Sequence, residues 1–489
     1  MDELKKYGLF CCRYGFGGSS RATATILSLF IVFAGCVHRR HNWLYSVKVD
    51  YYKGNFLKVK LSAETEPEVT LRCEYWDSLT NERRTSRQST VAGKTHEIVL
   101  YNLKPNSTYH YRFIAHAVGD TLKSKAYRFK LPFLPEYMNN ELFIEKSETK
   151  VLPKIFKEGL IMLHKRETPG AIYMVDYTGK ITWYHRISEA GFKVSTFNRG
   201  GAILSIVGTN DDPTSYGRSI LEINMLGDTT LFFKKGRGDL PRMIHHEVIR
   251  RGADEIVTLF CDNRAFDLRE AGGGADTVKG DGIIVLNRNC EKTWQWSVFD
   301  EINPVEFPSI NKVKDDWVHA NGLMIDKDGN FIVSFYNIGQ LWKIDAVSGR
   351  VLWKLGQGGT LKIGKGCAFE QSHAVHYNPR GSLMFFDNGF KKKTSSAVAL
   401  KVDEKAKAVN LDFKVNLPEE MFNERMGSAY MINDSALLCA CSKRHKTLLA
   451  NLKGEVCWVL HSNFPSYRAQ FIPGSWLGEF QPTNGDRKL

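Results

Sequence analysis

The sequence is poor in the features that announce most enzyme classes. Its one long apolar run, "ATATILSLFIVFAGCV" at 22–37, has 16 residues, short of the roughly 20 that a membrane-spanning helix needs. There is no Cys-x-x-Cys pair, which removes the zinc and redox motifs built on that spacing. There is no Gly-x-x-x-x-Gly-Lys-[Ser/Thr] stretch either, so no phosphate-cradling loop of that kind is expected. Beyond residue 40 no long segment repeats its apolar residues every 3.6 positions, and extended helices are not foreseen.

What is present favours β structure. Of the 489 residues, 43% are hydrophobic and 12% aromatic, enough to bury a sizeable core. The 41 glycines and other turn residues punctuate runs of Val, Ile, Thr and aromatics, the composition of short strands joined by turns. The formal net charge is +14, but the basic residues are scattered among 53 acidic ones and "KKK" at 391–393 is the one local run. Without a recognition helix or an RNP-like aromatic pattern, nucleic-acid binding is not expected. Small anionic substrates suit the charge.

The apolar run follows Lys5, Lys6, Arg13 and Arg21 and ends in "FAGC". It reads as an export signal. Small residues directly before Cys36 resemble a bacterial lipoprotein cleavage site, with Cys36 lipidated and the mature chain anchored at a periplasmic or cell-surface membrane; an uncleaved anchor is the alternative. Seven further cysteines remain, Cys73, Cys261, Cys290, Cys367, Cys439, Cys441 and Cys457. The odd number leaves at least one unpaired, and they are read mainly as core residues.

Two regions follow. Residues 44–133 alternate short strands with turns, and "YNLKPNSTYHYRFIAHA" resembles an immunoglobulin or fibronectin type III sandwich, where a Leu-x-Pro turn precedes a Tyr-bearing strand. Such a domain either pairs subunits into a homodimer or packs on its own chain. From about 140 to 489 a repeat takes over. One hairpin recurs as "AIYMVDYTGKITWYH" (171), "SILEINMLGDTTLFF" (219), "GIIVLNRNCEKTWQW" (282), "QLWKIDAVSGRVLWKL" (340), "AVALKVDEKAKAVNLDF" (397) and "TLLANLKGEVCWVL" (447). Before each of the last five lies another hairpin, ending in strands such as "DEIVTLF" and "NFIVSFY". Four strands per repeat, six times, predict an all-β chain with a six-bladed β-propeller whose first blade borrows its innermost strand from elsewhere.

Three histidines open innermost strands of consecutive repeats: His246 in "HEV", His319 in "HAN" and His373 in "HAV". A propeller brings innermost strands to one axis, so these imidazoles converge. Residues two apart on a strand share a face, which adds Asn321 beside His319 and Val375 beside His373. No carboxylate stands at ligand spacing from the histidines, so no metal is expected. A neutral imidazole flanked by donors can instead act as a nucleophile, with the other imidazoles and the amide stabilising the transferred anion.

The pieces "HHEV" (245–248), "KDDWVHANGLMID" (314–326), "QSHAVHYNPRGSLMFFDNG" (371–389) and "SYRAQFI" (466–472) resemble the bacterial aryl sulfate sulfotransferases that need no PAPS. The resemblance implies a leading sandwich, a six-bladed propeller, no cofactor, and a ping-pong reaction from an aryl sulfate ester to a phenol through a sulfohistidine. His373 matches the family nucleophile, and His246, His319 and Asn321 match groups that hold the sulfuryl oxygens and assist the leaving phenol. His245 is the alternative inward-facing residue of its pair. Where the family has an arginine after "HAN", this chain has Tyr336 in "SFYN", trading a bidentate grip on sulfate for a single donor. Lys391 or Arg468 is the expected compensation. No C-x-P-x-R stretch of the sulfatase kind occurs. Two other readings stay open: a quinoprotein-like propeller, from "IDAVSGRVLWKLG", and a non-catalytic surface propeller that binds phenols or glycans.

Overall fold

The computed structural model describes residues 43–476 except 53, 54, 87, 90, 118, 119 and 308. The export segment and Cys36 lie outside the described residues. No helix among the described residues is long and apolar enough to cross a membrane.

The N-terminal β region is organised around one 19-residue strand, Val59–Asp77. Its first half pairs with Leu44–Tyr51 and Gly93–Leu100, its second half with Arg83–Thr85 and Thr108–Ala117. Alternate residues point inward, and Val59, Leu61, Val69, Leu71, Cys73 and Tyr75 are buried in one core. Tyr109 Oη accepts the Lys104 N–H at 3.0 Å, tying the Leu-Lys-Pro turn to the strand behind it. This region packs on its own propeller: Asn55 Nδ2 donates to the Tyr184 carbonyl at 2.8 Å, Lys58 Nζ reaches the Leu226 carbonyl, and Tyr101 joins the apolar cluster that holds Trp183 and Phe197.

Six sheets follow, each with four antiparallel strands at its heart. Their strands read as continuous apolar runs rather than alternations because neighbouring blades cover both faces; Gly170–Val175 and Leu383–Asp387 are buried along their whole length. The hairpins are turned by an Asn or Asp side chain accepting backbone N–H groups, as Asn451 does from Lys453 and Glu455, followed by a left-handed residue. That residue is Gly454 at φ 89° in the last blade, and Cys290 at φ 69° takes the place in the third.

Both chain ends close the ring. Gln470–Ile472 pairs with Leu160–Lys165 as the innermost strand of blade 1, the strand that the first repeat lacks in sequence order. Leu142–Ser147 pairs with Val456–Ser462 as the outermost strand of blade 6. The seam is therefore hydrogen-bonded from both sides. The described cysteines are all free thiols, five of them buried.

Candidate active site

The innermost strands of blades 3, 4 and 5 are Ile244–Arg251, Ala320–Ile325 and Ser372–Tyr377. Each ladder slips at its start: between His245 and Val248, between Ala320 and Gly322, and between His373 and His376. Near each slip one residue adopts the left-handed region: His246 at φ 56°, His319 at φ 54° and Ala374 at φ 55°. Non-glycine residues there are uncommon, and β-bulges of this kind re-aim side chains beside functional sites.

The bulge corrects one expectation. Val375 does not accompany His373, because the slip sends it into the core with Ile332, Leu341 and Leu383. His376 takes the inward place instead, its ring 4.6 Å from Tyr430 of blade 6.

The imidazoles do converge. The His246 and His319 rings lie 4.9 Å apart. Tyr336 bridges the others, its ring 5.5 Å from His319 and 5.1 Å from His373. Tyr467 closes the circle at 5.9 Å from His246 and 6.3 Å from His373. His319 and Asp316 form its most exposed edge.

His373 is held in one tautomer. Its Nδ1 is 2.6 Å from Asn388 Oδ1, and Asn388 Nδ2 donates to the Asn423 and Met426 carbonyls at 2.7 and 2.9 Å. With the amide so oriented, Oδ1 can only accept, so Nδ1 carries the hydrogen and Nε2 keeps its lone pair. That lone pair accepts a long 3.2 Å hydrogen bond from the Met426 N–H. Burial pulls the pKa down to about 3, with Asn388 acting the other way. His246 is held well below its ordinary value by burial and by the neighbouring imidazoles.

His319 is backed differently, Nδ1 lying 2.8 Å from Asp316 Oδ1. Burial works to raise the Asp316 carboxyl, but His319 holds it below the ordinary carboxylate value. Asn321 is buried, and neither atom of its amide has a partner. Such a group is costly empty and is of the type a ligand satisfies.

Three expected substrate groups are placed otherwise. Arg468 is a floor residue: Nη1 lies 2.6 Å from Glu247 Oε2, and Nη2 reaches the His246 and Asn321 carbonyls at 3.4 Å. Its charge is paired with a buried carboxylate, while its Nε has no hydrogen-bond partner. Lys391 stands on an exposed turn with its backbone N–H on Glu370, and the permanently charged group that bears on His373 is Arg468. His245 points away from the circle, toward Asp281 at 3.1 Å. Tyr336 does occupy the ring position between the histidines, but its one donor is given to the Glu424 carbonyl at 2.8 Å. Among the described residues no group of three or more His, Cys, Asp or Glu side chains is arranged to hold a metal.

The sequence profile of the Arylsulfotransferase (ASST) family matches residues 145–446, over half of the chain. The chain belongs to the arylsulfotransferase family. As a member it is a sulfotransferase-family propeller protein, and the matched span holds every histidine of the circle. No curated protein sequence matches the chain. Among solved structures it is similar to a protein of unknown function from Bacteroides caccae, at 11% identity and TM-score 0.41 over 64% of this chain and 98% of that one. It is also similar to virginiamycin B lyase from Staphylococcus aureus, at 9% identity and TM-score 0.35 over 68% and 96%, and to an auxiliary nutrient binding protein from Bacteroides thetaiotaomicron, at 9% and 0.35 over 85% of both chains.

Sequence reasoning missed Asn388, Asp281, Glu247 and Tyr467. Asn388 stands inside the quoted "FDNG", and Asp316 three residues before His319 in "DDWVH". Glu247 and Tyr467 stand inside the quoted "HHEV" and "SYRAQFI", but their partners are set by tertiary pairing, as is the placement of Asp281 on its strand.

Proposed function

We propose that this arylsulfotransferase moves a sulfuryl group from an aryl sulfate ester to a phenol by a ping-pong route through a sulfohistidine at His373, without PAPS. The observation that carries the reading is the fixed tautomer of His373, a buried neutral imidazole that keeps a lone pair on Nε2. Attack requires the Met426 N–H to leave Nε2, a modest cost for a 3.2 Å contact. The Asn388 carbonyl then accepts from an imidazolium rather than an imidazole, and charge-assisted hydrogen bonds are the stronger kind. His246, His319 and the unpaired amide of Asn321 supply donors for the sulfuryl oxygens and the leaving aryl oxygen. Tyr336, having spent its hydroxyl, offers its ring as a face for an aryl group.

Export on a lipid anchor at Cys36 belongs to the same reading, as does an immunoglobulin-like character for the N-terminal region, supported by the Tyr109 turn contact.

The engaged Nε2 and the spent Tyr336 hydroxyl favour one rival, a propeller that holds phenols without turnover. Incubation with p-nitrophenyl sulfate and phenol separates them. Nitrophenolate release that rises with phenol, together with an acid-labile sulfuryl adduct on His373, is expected. Retention of phenol with no release and no adduct overturns the transferase reading.

A further inference from the structure

Behind His246 lies a second imidazole, turned toward Asp281. His245 is fully buried, its Nε2 3.1 Å from Asp281 Oδ1 and its Nδ1 2.9 Å from His246 Nδ1. Asp281 Oδ2 accepts the Ala320 N–H at 2.7 Å. Oδ2 is thereby fixed as an acceptor, and Oδ1 stands at ion-pair distance from His245 Nε2, although out of hydrogen-bond line, so its charge favours a hydrogen on that nitrogen. Between two facing Nδ1 atoms only one hydrogen fits. Either it belongs to His245, which is then an imidazolium, or it belongs to His246, whose Nε2 is then a bare lone pair. The two states differ by one proton at His246 Nε2.

Resting on the sulfotransferase reading, the geometry points to the Asp281 and His245 pair as a proton reservoir that loads His246 for the leaving aryl oxygen and recovers the proton from the acceptor phenol. In the first half-reaction His373 Nε2 bonds sulfur as the bond from sulfur to the aryl oxygen breaks. That oxygen takes the proton of His246 Nε2, and His246 Nδ1 takes the proton of His245 Nδ1. The donor's negative charge stays with the sulfuryl group, the positive charge passes from His245 to the sulfated His373, and a neutral phenol departs. In the second half the acceptor oxygen bonds sulfur, the bond from sulfur to nitrogen breaks, and the phenol proton enters at His246 Nε2 while Nδ1 returns its own to His245.

The surroundings suit a stored proton. Burial works against charge on His245, but the Cys261 sulfur and the Asp281 carboxylate outweigh it and push its pKa up to about 10. The groups that face it are Cys261, Asp281 and Tyr216 from neighbouring strands, the Tyr216 ring 4.9 Å away, and His246 from its own strand, while Asp316 adds a second carboxylate from blade 4. Its charge is therefore kept through neutral pH and given up as pH rises toward about 10.

Nitrogen spectra of the intact protein with labelled histidine locate the proton without turnover. His245 protonated on both nitrogens at neutral pH is expected; a neutral His245 overturns the proposal. In turnover, Asp281→Asn is expected to slow phenyl sulfate about 100-fold, to slow p-nitrophenyl sulfate far less because its leaving group needs little protonation, and to move the alkaline limb of the phenyl sulfate profile to lower pH. Equal losses with an unmoved limb overturn the proposal. If Asp281→Asn does not fold, His245→Asn must show the same split between donors. Wild-type protein that turns over neither ester defeats the sulfotransferase reading instead, and the spectra still decide where the proton sits.

Discussion

Blades 3 and 4 set their histidines against carboxylates, whereas blade 5 sets its histidine against an amide. His319 leans on Asp316, and His246 reaches Asp281 through His245. His373 leans on Asn388. An imidazole directly against a carboxylate has its charged form stabilised, as His245 does against Asp281, while His246 in front of it is kept neutral by burial and its imidazole neighbours. One with a neutral acceptor in a dry site keeps its lone pair at every working pH. Three copies of one residue type at nearly equivalent places in a repeat thereby stand in unlike surroundings, and the proposed division into one nucleophile and two proton-handling groups follows from what stands behind each ring.

The largest test of that division removes the lone pair. His373→Ala is expected to abolish transfer and leave no acid-labile adduct after exposure to labelled donor, and a variant with full turnover ends the assignment. Next, Asn388→Asp gives blade 5 the partner type of blade 4. A carboxylate accepting from Nδ1 stabilises the imidazolium, so the His373 pKa rises from about 3. Below the new value Nε2 is protonated and cannot attack; activity should fall by about 100-fold or more at neutral pH and recover as pH increases. A pH profile on protein shown by thermal melting to be folded decides it. No recovery in alkali means that the amide serves packing rather than protonation.

Smaller losses follow from the flanking donors. His246→Ala, His319→Ala and Asn321→Ala should each lower kcat by about 10² to 10³, the scale for one transition-state donor, and steady-state rates with p-nitrophenyl sulfate measure this. Tyr336→Arg is expected to have the mildest effect and the opposite sign. Its guanidinium restores a bidentate grip, so kcat/KM for simple aryl sulfates should rise; an unchanged or lower value shows that this site has been rebuilt around the aromatic ring.

The architecture and the meeting of His246, His319 and His373 were legible because a repeat forces equivalent positions to one axis. Finer placement was not. Reading two-residue periodicity through the "HAV" of blade 5 put Val375 inward, and the bulge at Ala374 reversed it, since one extra residue exchanges the faces of a strand. Arg468 was visible as a nearby cation, yet its partner Glu247 lies 221 residues away in sequence, and only tertiary pairing shows that it has a carboxylate partner. Asp281 was hidden for the same reason, standing on a strand whose partner, and not whose sequence, brings it to His245.

Ring closure has a temporal consequence. Tyr467 and Arg468, which complete the circle and its floor, belong to the segment that leads into Gln470–Ile472, the strand that shuts blade 1. A chain with blades 2 to 5 in place still lacks Tyr467 and Arg468, so the circle and its floor are complete only once the segment that closes blade 1 has docked.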